Sequence, residues 1–201
     1  MKIVVAGNEL TFFELTRNQP SIEWVLAKDG NSFIEYEDAD AFFNLNENAY
    51  QLNYSNLNVP VFINSVIHTL GKNKNVIRIN GWNGFLEKDT WELTGPLNSA
   101  EEKVLFALNK KLILTADEPG FISARIIAMI INEAYFAKEE KLSSENEINI
   151  AMKLGTNYPY GPFEWAEKIG LKNIYDLLVQ LSFQDKRYIP SSAMITLINK
   201  L

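Results

Sequence analysis

Few side chains in this sequence can carry out nucleophilic, acid–base or metal chemistry. The 201 residues include no cysteine, which excludes disulfides, thiolate catalysis and cysteine-ligated zinc or iron–sulfur sites. The one histidine, His68, cannot build a multi-histidine metal site, and a catalytic triad would have to use it as its only imidazole. The simpler interpretation places His68 at the surface or at the start of a helix. No metal site is therefore expected.

Charge and hydropathy argue against two further classes of function. The net charge is −6, and the basic residues are scattered apart from the pair Lys110 and Lys111, so we expect no nucleic-acid partner. No apolar run reaches the roughly 18 residues of a membrane-spanning helix. The apolar stretch near the N-terminus is too short for a secretory signal. We therefore expect a cytoplasmic protein without a membrane partner.

The first part of the chain has the pattern of an α/β region with a sheet. Short apolar runs typical of buried strands begin at residues 2, 22, 60, 75, 90 and 112. Two segments, 38–45 and 99–108, have the composition of helices, and Ser99 with two following glutamates opens the second.

After Pro119 the pattern becomes helical, and this change in composition predicts a domain boundary. Apolar residues from Phe121 to Tyr135 predict a long helix that is apolar nearly all round. Such a helix is expected between neighbouring elements or across an interface.

Four more helices are predicted in the remaining residues. Ser144 and Glu147 form a capping box for the next helix, which Gly155 would end. Pro162 lies at the first turn of the segment FEWAEKI, and Gly170 ends that helix. The segments 171–181 and 192–201 complete the set.

Between the first and second of these four helices lies the segment TNYPYGP, in which two prolines and Gly161 make a rigid corner. By itself this corner is a structural turn. Its neighbours are more specific: Glu118-Pro-Gly-Phe-Ile122 with Arg125, Asn132-Glu-Ala134, Ala151-Met-Lys-Leu-Gly155, Tyr158-Pro159, Gly161-Pro-Phe-Glu164, and Arg187-Tyr188 with Pro190. In order and spacing, these segments resemble the C-terminal domain of 3-hydroxyacyl-CoA dehydrogenases.

The resemblance implies two domains. Residues 1–117 would form a degenerate, shortened Rossmann-like domain with a mostly parallel sheet. Residues 118–201 would form an all-α domain of the 6-phosphogluconate/3-hydroxyacyl-CoA dehydrogenase C-terminal type. By the same resemblance, the helical domain should mediate dimerisation and form one wall of an acyl-CoA site.

A dehydrogenase of this family needs a glycine-rich turn after its first strand, where the pyrophosphate of the cofactor approaches the backbone. Here Gly7 is the one glycine that matches G-x-G-x-x-G. Leu10 would place a branched side chain in a tight turn, and Glu9 would place a negative charge near the phosphates. We therefore expect no NAD binding of the usual kind.

The resemblance implies a reaction in which a histidine removes the proton of a hydroxyl group while a hydride is transferred to the nicotinamide. A glutamate twelve residues after the histidine would orient it. In the matching segment, VIRINGWNGFLEKDTWELTG, Glu92 corresponds to the glutamate and Asn80 to the histidine. An amide can donate a hydrogen bond to a carbonyl but cannot act as a general base. Glu92, flanked by Trp91 and Leu93, could equally point to solvent from an alternating strand.

The remaining site candidates are weaker. The asparagine of the family's PGFI-x-N-R segment is Ala124 here, which can only pack. Ser65 matches a serine of the family with a one-residue shift, or simply ends a strand. Trp82 and Phe85, with Trp91, could line a pocket for an acyl chain, although core packing explains them as well.

We therefore predict a non-catalytic member of the family in fatty-acid metabolism, with a binding or assembly role and no cofactor. The alternative is a weak or rewired NAD-dependent 3-hydroxyacyl-CoA oxidoreductase. The expected assembly is a homodimer through the C-terminal domain or a heterodimer with a full-length paralogue, and acyl-CoA is the candidate ligand.

Overall fold

The computed structural model describes residues 1–71, 73 and 75–200. It divides into two compact units, one from Met1 to Phe121 and the other from Ile122 onward. The division falls a few residues after the predicted boundary at 117 and 118. The reason is local, because Asp117 and Phe121 both contact Arg78 of the first unit.

The first unit is a seven-stranded sheet with helices. In chain order its elements are β1 (Lys2–Ala6), α1 (Glu9–Thr16), β2 (Glu23–Ala27), β3 (Ala41–Asn44), β4 (Val61–Asn64), β5 (Ile77–Ile79), β6 (Thr90–Thr94), α2 (Ser99–Ala107) and β7 (Lys111–Leu114), with short 3₁₀ helices at Gly30–Glu35 and Ala49–Gln51. The strand order is β2-β1-β3-β4-β5-β6-β7, and only the β5–β6 pairing is antiparallel. The predicted Rossmann-like, mostly parallel sheet is confirmed.

One predicted element of this unit is wrong. The segment 38–45 was assigned to a helix, but it contains β3, whose residues Ala41 to Asn44 are all buried. A strand covered on both faces reads as a continuous apolar run rather than an alternating one, and four residues are too few to show either period.

Alternate residues of the strands point into two separate cores. On one face, Ile3, Phe43 and Phe62 pack with Leu15 of α1 and Leu105 of α2. On the other face, the strands pack with the segment 30–57, which includes the two 3₁₀ helices. The chain passes from β1 to β2 on one side and then to β3 on the other, so the strand order reverses between β1 and β3. Ligands of open α/β sheets bind at the carboxyl ends of the strands near such a reversal.

The second unit is all-helical, as predicted, with helices α3 (Ser123–Glu139), α4 (Glu145–Thr156), α5 (Pro162–Ile169), α6 (Leu171–Ser182) and α7 (Ser192–Ile198). Helix α3 is central, because α5, α6 and α7 all pack on it. None of the helices within the described part of the chain is long and apolar enough to cross a membrane.

The helix boundaries agree with the predicted caps except at the end of α4. The box of Ser144 and Glu147 is present, and Pro162 and Gly170 bound α5 as expected. Gly155, however, does not end α4. The helix continues to Thr156, and Asn157 takes the left-handed conformation with φ 56°, which asparagine tolerates better than most residues. The final helix ends at Ile198, and Leu201 lies outside the described residues.

Candidate functional site

Asparagines close the carboxyl ends of the three central strands. Asn44 and Asn64 end β3 and β4, and Asn80 directly follows β5. The side chain of Asn64 donates to the carbonyl of Leu45 at 3.3 Å and accepts from the N–H of Gly81 at 3.1 Å, so it links the ends of two flanking strands. These amides satisfy backbone groups at the strand ends.

Asn80 directly follows β5, and Glu92 lies in the neighbouring strand β6. The antiparallel register pairs Ile79 with Leu93, the residues next to Asn80 and Glu92 in the chain. Asn80 is buried, and its side-chain oxygen accepts a hydrogen bond from the N–H of Trp82 at 3.3 Å. Glu92 is half-buried between two buried residues rather than fully exposed to solvent. The two positions that the resemblance selected therefore lie on or next to neighbouring strands.

Ser65 and His68 follow the end of β4. The ring of the exposed His68 stacks on Tyr50, with centroids 3.8 Å apart and planes at 24°. The Ser65 hydroxyl donates to the His68 carbonyl at 2.7 Å. Ser65 thus holds a turn at the strand end, which is the simpler of its two predicted roles.

The N-terminus of α1 does not fit a pyrophosphate group. The Asn8 side chain accepts the Thr11 N–H at 2.9 Å and so takes one of the helix donors that would face a phosphate. Glu9 places its acidic side chain in the same turn. A side chain at Gly7 would meet the Thr11 hydroxyl at 2.8 Å, so Gly7 is explained by this close approach. The sequence predicts that Leu10 crowds this turn, but its side chain is 49% exposed and does not do so.

The predicted aromatic cluster is divided between two environments. Trp91 belongs to the core, where its ring contacts Phe43 edge-on at 6.2 Å. Trp82 is buried and Phe85 is half-buried in the loop between β5 and β6. Core packing therefore explains Trp91, whereas the acyl-pocket role of Trp82 and Phe85 stays a prediction.

That loop is tied to α1. The carboxylate of Glu14, which is buried, accepts the Gly84 N–H at 2.7 Å. Arg17 pairs with Glu87 one turn further along the helix. The loop between β5 and β6 is thus held in place by α1.

Arg78 is a buried charged residue to which the sequence pattern assigned no role. Its side chain is fully buried in β5, and its guanidinium donates to the Ser65 carbonyl at 2.8 Å, the Asp117 carboxylate at 2.5 Å and the Glu118 carbonyl at 3.0 Å. It also lies 4.5 Å from the centroid of Phe121. An arginine inside the apolar run NVIRI was the available signal, because a buried charge requires a partner.

In the second unit, the segments that carry the resemblance have structural roles. Ala124 is fully buried in α3 and packs, as expected. The amide of Asn132 is nearly fully buried, and it donates to the Ile189 carbonyl and accepts from the Ser191 N–H, each at 2.9 Å. This pair of bonds joins α3 to the segment that precedes α7.

The TNYPYGP corner fixes α5 against α4. A side chain at Gly161 would come within 2.5 Å of the Asn149 backbone, which leaves room only for glycine. Glu164 accepts the Gly161 N–H at 2.8 Å and pairs with Lys153 of α4 at 2.5 Å. These contacts, led by the Lys153 hydrogen bond, lower the pKa of Glu164. The corner is a packing device.

An apolar groove of about 390 Å³ runs between α3 and α4. Ile130, Ala134, Ile148, Ala151 and Met152 contribute to its lining. Helix α4 has no buried residue although half of its side chains are apolar or small, so one of its faces has no cover within the described chain. Across the same described residues, no cluster of three or more histidines and carboxylates could hold a metal ion.

Comparisons with known proteins point to one family. The family model described as "3-hydroxyacyl-CoA dehydrogenase, C-terminal domain" matches residues 120–200. The 3-hydroxyadipyl-CoA dehydrogenase of Escherichia coli K12 is 40% identical over 102 residues, which are 48% of this chain and 22% of that protein. A 3-hydroxybutyryl-CoA dehydrogenase of Bradyrhizobium diazoefficiens is 33% identical over 98 residues, which are 48% of this chain and 33% of that protein. The matched part therefore spans a third or less of either relative.

Solved structures support the fold of the whole chain. The (S)-3-hydroxybutyryl-CoA dehydrogenase of Ralstonia eutropha superposes with a TM-score of 0.71 at 18% identity, covering 99% of this chain and 93% of that one. A 3-hydroxybutyryl-CoA dehydrogenase of Escherichia coli gives a TM-score of 0.58 at 30% identity, covering 70% of this chain and 32% of that one. The first of these likenesses concerns the fold alone. Together with the matched C-terminal domain, they confirm the resemblance read from the sequence.

Proposed function

We propose that this chain, whose residues 120–200 match the C-terminal domain of 3-hydroxyacyl-CoA dehydrogenases, is a member of that family without its dehydrogenation reaction. Its role would be binding or assembly in fatty-acid metabolism. The observation that carries the proposal is the residue type at position 80, because an asparagine stands where the resemblance expects the catalytic histidine, directly after the strand that pairs with β6.

The amide of Asn80 cannot remove the hydroxyl proton of a substrate, because it is not basic at neutral pH. General base catalysis contributes roughly two to four orders of magnitude in rate, and an asparagine here forfeits that contribution. The one histidine does not replace it, since His68 stacks on Tyr50 beyond the end of β4.

The cofactor side of the reaction is weakened independently. NAD, when bound by a member of this family, accepts the hydride. In this chain the Asn8 cap and the Glu9 carboxylate occupy the helix end where its pyrophosphate would lie. Two separate requirements of the reaction thus fail at two separate strand ends.

The proposal is tested by an assay of purified protein for NADH-dependent reduction of acetoacetyl-CoA. We expect no rate above a no-protein control for the wild type. A robust rate that is lost in Glu92→Gln, but retained in Glu102→Gln on the exposed face of α2, would contradict the proposal.

The binding role is separable from catalysis by thermal unfolding. A panel of NADH, NADP, coenzyme A and acyl-CoAs should raise the melting temperature with an acyl-CoA and leave it unchanged with the nicotinamide nucleotides. A ligand at 100 times its Kd stabilises the folded state by about 2.7 kcal/mol. An unchanged melting temperature with every acyl-CoA would restrict the role to assembly.

For the assembly role, we propose a homodimer through the groove between α3 and α4. The groove is apolar, and the uncovered face of α4 adjoins it, which is the pattern of an interaction surface. Ala151→Glu, inside the groove, should lower the molar mass measured by light scattering. Phe183→Glu is the matched control, because Phe183 is 79% exposed, directly follows α6 and does not line the groove. Equal masses for all three proteins would contradict this interface.

The same groove could instead hold a full-length paralogue. Mixing the two purified proteins distinguishes the cases, because a heterodimer gives a mixed species that Ala151→Glu abolishes. If no mixed species forms while the homodimer persists, the homodimer is favoured.

The alternative, a rewired NAD-dependent oxidoreductase, is favoured by one observation. Asp29 follows β2, 22 residues after Gly7, where dinucleotide folds place the acidic residue that binds the ribose. One Asp29 oxygen already accepts the N–H groups of Asn31 and Ser32 at 2.8 and 3.1 Å. Calorimetric binding of NADH that is lost in Asp29→Ala would support the alternative, and no heat at millimolar NADH would remove it.

A further inference from the structure

Strand β7 forms one edge of the sheet, and two of its apolar side chains are exposed to solvent. It pairs with β6, and no other strand of the described chain pairs with it. Ile113 is 42% exposed and Leu114 is 64% exposed. An exposed edge strand with apolar side chains, and without proline or a bulge, is a template for pairing with another strand.

The backbone of β7 shows which groups are available. The N–H of Lys111 donates to the carbonyl of Asp89, directly before β6, at 2.8 Å, and the N–H of Thr115 donates to the Leu93 carbonyl of β6 at 3.0 Å. Because successive residues of a strand alternate in direction, Ile113 also faces β6, whereas Leu112 and Leu114 turn their N–H and C=O groups outward. Within the described chain, no hydrogen bond to the outer side uses these four groups.

The outward groups on either side of this pair are already occupied. The N–H of Lys110 donates to the Leu105 carbonyl at 3.3 Å. The carbonyl of Ala116 accepts from the Glu118 N–H at 2.8 Å and from a threonine hydroxyl at 3.2 Å. Leu112 and Leu114 are therefore the β7 residues whose outward N–H and C=O groups both lack a hydrogen bond within the described chain.

We propose that this edge pairs with β7 of a second copy of the chain in antiparallel register. The two-fold axis would pass beside Ile113, which sets Leu112 opposite Leu114 of the second copy and Leu114 opposite Leu112. Each of these two pairs exchanges both of its N–H···O bonds, so all the free backbone groups of both edges are satisfied at once.

The side chains favour a second copy in this orientation. The register matches leucine with leucine on one face and Ile113 with its own copy on the other, and apolar cross-strand pairs stabilise a sheet. Antiparallel pairing also separates the exposed Lys111 residues and directs each toward the acidic end of the other strand, at Asp117 and Glu118. Parallel pairing would bring the two Lys111 side chains together, which is unfavourable.

The absence of cysteine makes the register testable by disulfide trapping in the full chain. Opposite residues of a non-hydrogen-bonded antiparallel pair have Cα atoms about 4.5 Å apart, within the range that a disulfide spans. Ile113→Cys should therefore give a disulfide-linked dimer as its major product under mild oxidation. Leu114→Cys should not, because the two copies of residue 114 are offset by two residues along each strand.

Two controls distinguish specific pairing of the β7 edges from cross-linking through random collisions. Leu26→Cys lies on β2, the opposite edge of the sheet, and Leu26 is 47% exposed. It should cross-link several-fold less than Ile113→Cys. Leu114→Lys, a variant without an added cysteine, should have a lower molar mass in light scattering than the wild type at the same protein concentration, whereas Leu26→Lys should have the wild-type mass.

The inference is independent of the proposed function, because it concerns the sheet and not the groove between α3 and α4. Ile113→Cys combined with Ala151→Glu should still cross-link through β7. Equal cross-linking of the cysteines at positions 26, 113 and 114 would overturn the proposal, as would a wild-type mass that Leu114→Lys does not change. Circular dichroism of each variant confirms that a loss of mass is not a loss of fold.

Discussion

Arg78 offers the sharpest test of how the first unit is held together. Its guanidinium is fully buried and joins three parts of the chain: its own strand, the turn at Ser65 and the segment from Asp117 to Phe121. Arg78→Met keeps most of the side-chain volume and removes every one of these polar contacts.

The expected cost follows from what is left behind. Removing one partner of a buried ion pair typically destabilises a protein by about 3–5 kcal/mol. The side chain of Asp117 is 37% exposed and still accepts the Leu70 N–H, so water can hydrate it. The carbonyls of Ser65 and Glu118 each lose a donor; Ser65 is buried, and an unsatisfied buried acceptor costs about 1–3 kcal/mol, whereas the exposed Glu118 can turn to water. We therefore expect Arg78→Met to lose about 3–5 kcal/mol, in the range given for buried pairs.

Arg78→Lys is the matched comparison. Lysine keeps the charge but lacks the planar fork that serves three acceptors in different directions, so about half of the loss should remain. Phe121 would also lose its contact with the guanidinium face.

Urea unfolding monitored by tryptophan fluorescence measures these losses, because three of the four tryptophans, Trp24, Trp82 and Trp91, lie in the first unit. A two-unit chain need not unfold in one step, so the transition of the first unit is fitted separately. A loss below about 1 kcal/mol for Arg78→Met, which is less than a typical buried hydrogen bond to a charged group, would refute this reasoning.

Three further predictions concern local contacts. Hydrogen bonds from Ser144 and Ser143 lower the pKa of Glu147 to about 2. The contribution of Glu147 to stability should therefore be complete at a pH above the ordinary glutamate pKa and should be lost as the pH falls toward 2. In Glu147→Gln the melting temperature should fall less steeply at acid pH. Burial raises the pKa of Tyr54 to about 12. The contribution of Tyr54 to stability should therefore be complete at a pH below the ordinary tyrosine pKa and should be lost as the pH rises toward 12. Tyr54→Phe should remove this alkaline decrease from the pH–melting curve. Gly161→Ala should destabilise the second unit by about 1–3 kcal/mol, the usual range for an overpacked site, because the added carbon meets the Asn149 backbone; guanidinium unfolding with unchanged midpoint would contradict it.

The sequence predicted those parts of the fold that depend on short-range pattern. Buried strands such as β1 and β4 read directly as apolar runs, and the capping box at Ser144 marks the start of α4 by its spacing. The pattern did not predict β3, because four residues are too few to show a period. It did not predict α1, because the apolar residues of that helix do not lie on one face. Tertiary contacts determine the conformation of both elements.

The candidate site was predictable in part for a different reason. Asn80 and Glu92 were selected by alignment, and the antiparallel pairing of β5 and β6 places them on or next to neighbouring strands. Arg78 lies in the same strand, yet no local spacing links it to Asp117, 39 residues away. Side chains that meet only through the sheet topology cannot be paired from one sequence.

The positions that carry the family resemblance and those that would carry its chemistry belong to different units of the chain. Asn132 and Gly161 satisfy buried backbone groups and permit a close helix approach, so any sequence that adopts this helical packing needs residues of their kind. The turn at Gly7 and the position of Asn80 do not influence that packing. A chain can therefore retain every residue that shapes the helical domain while the other unit loses the groups that transfer a proton and hold a cofactor, and the quality of the match over residues 120–200 measures the fold rather than the reaction.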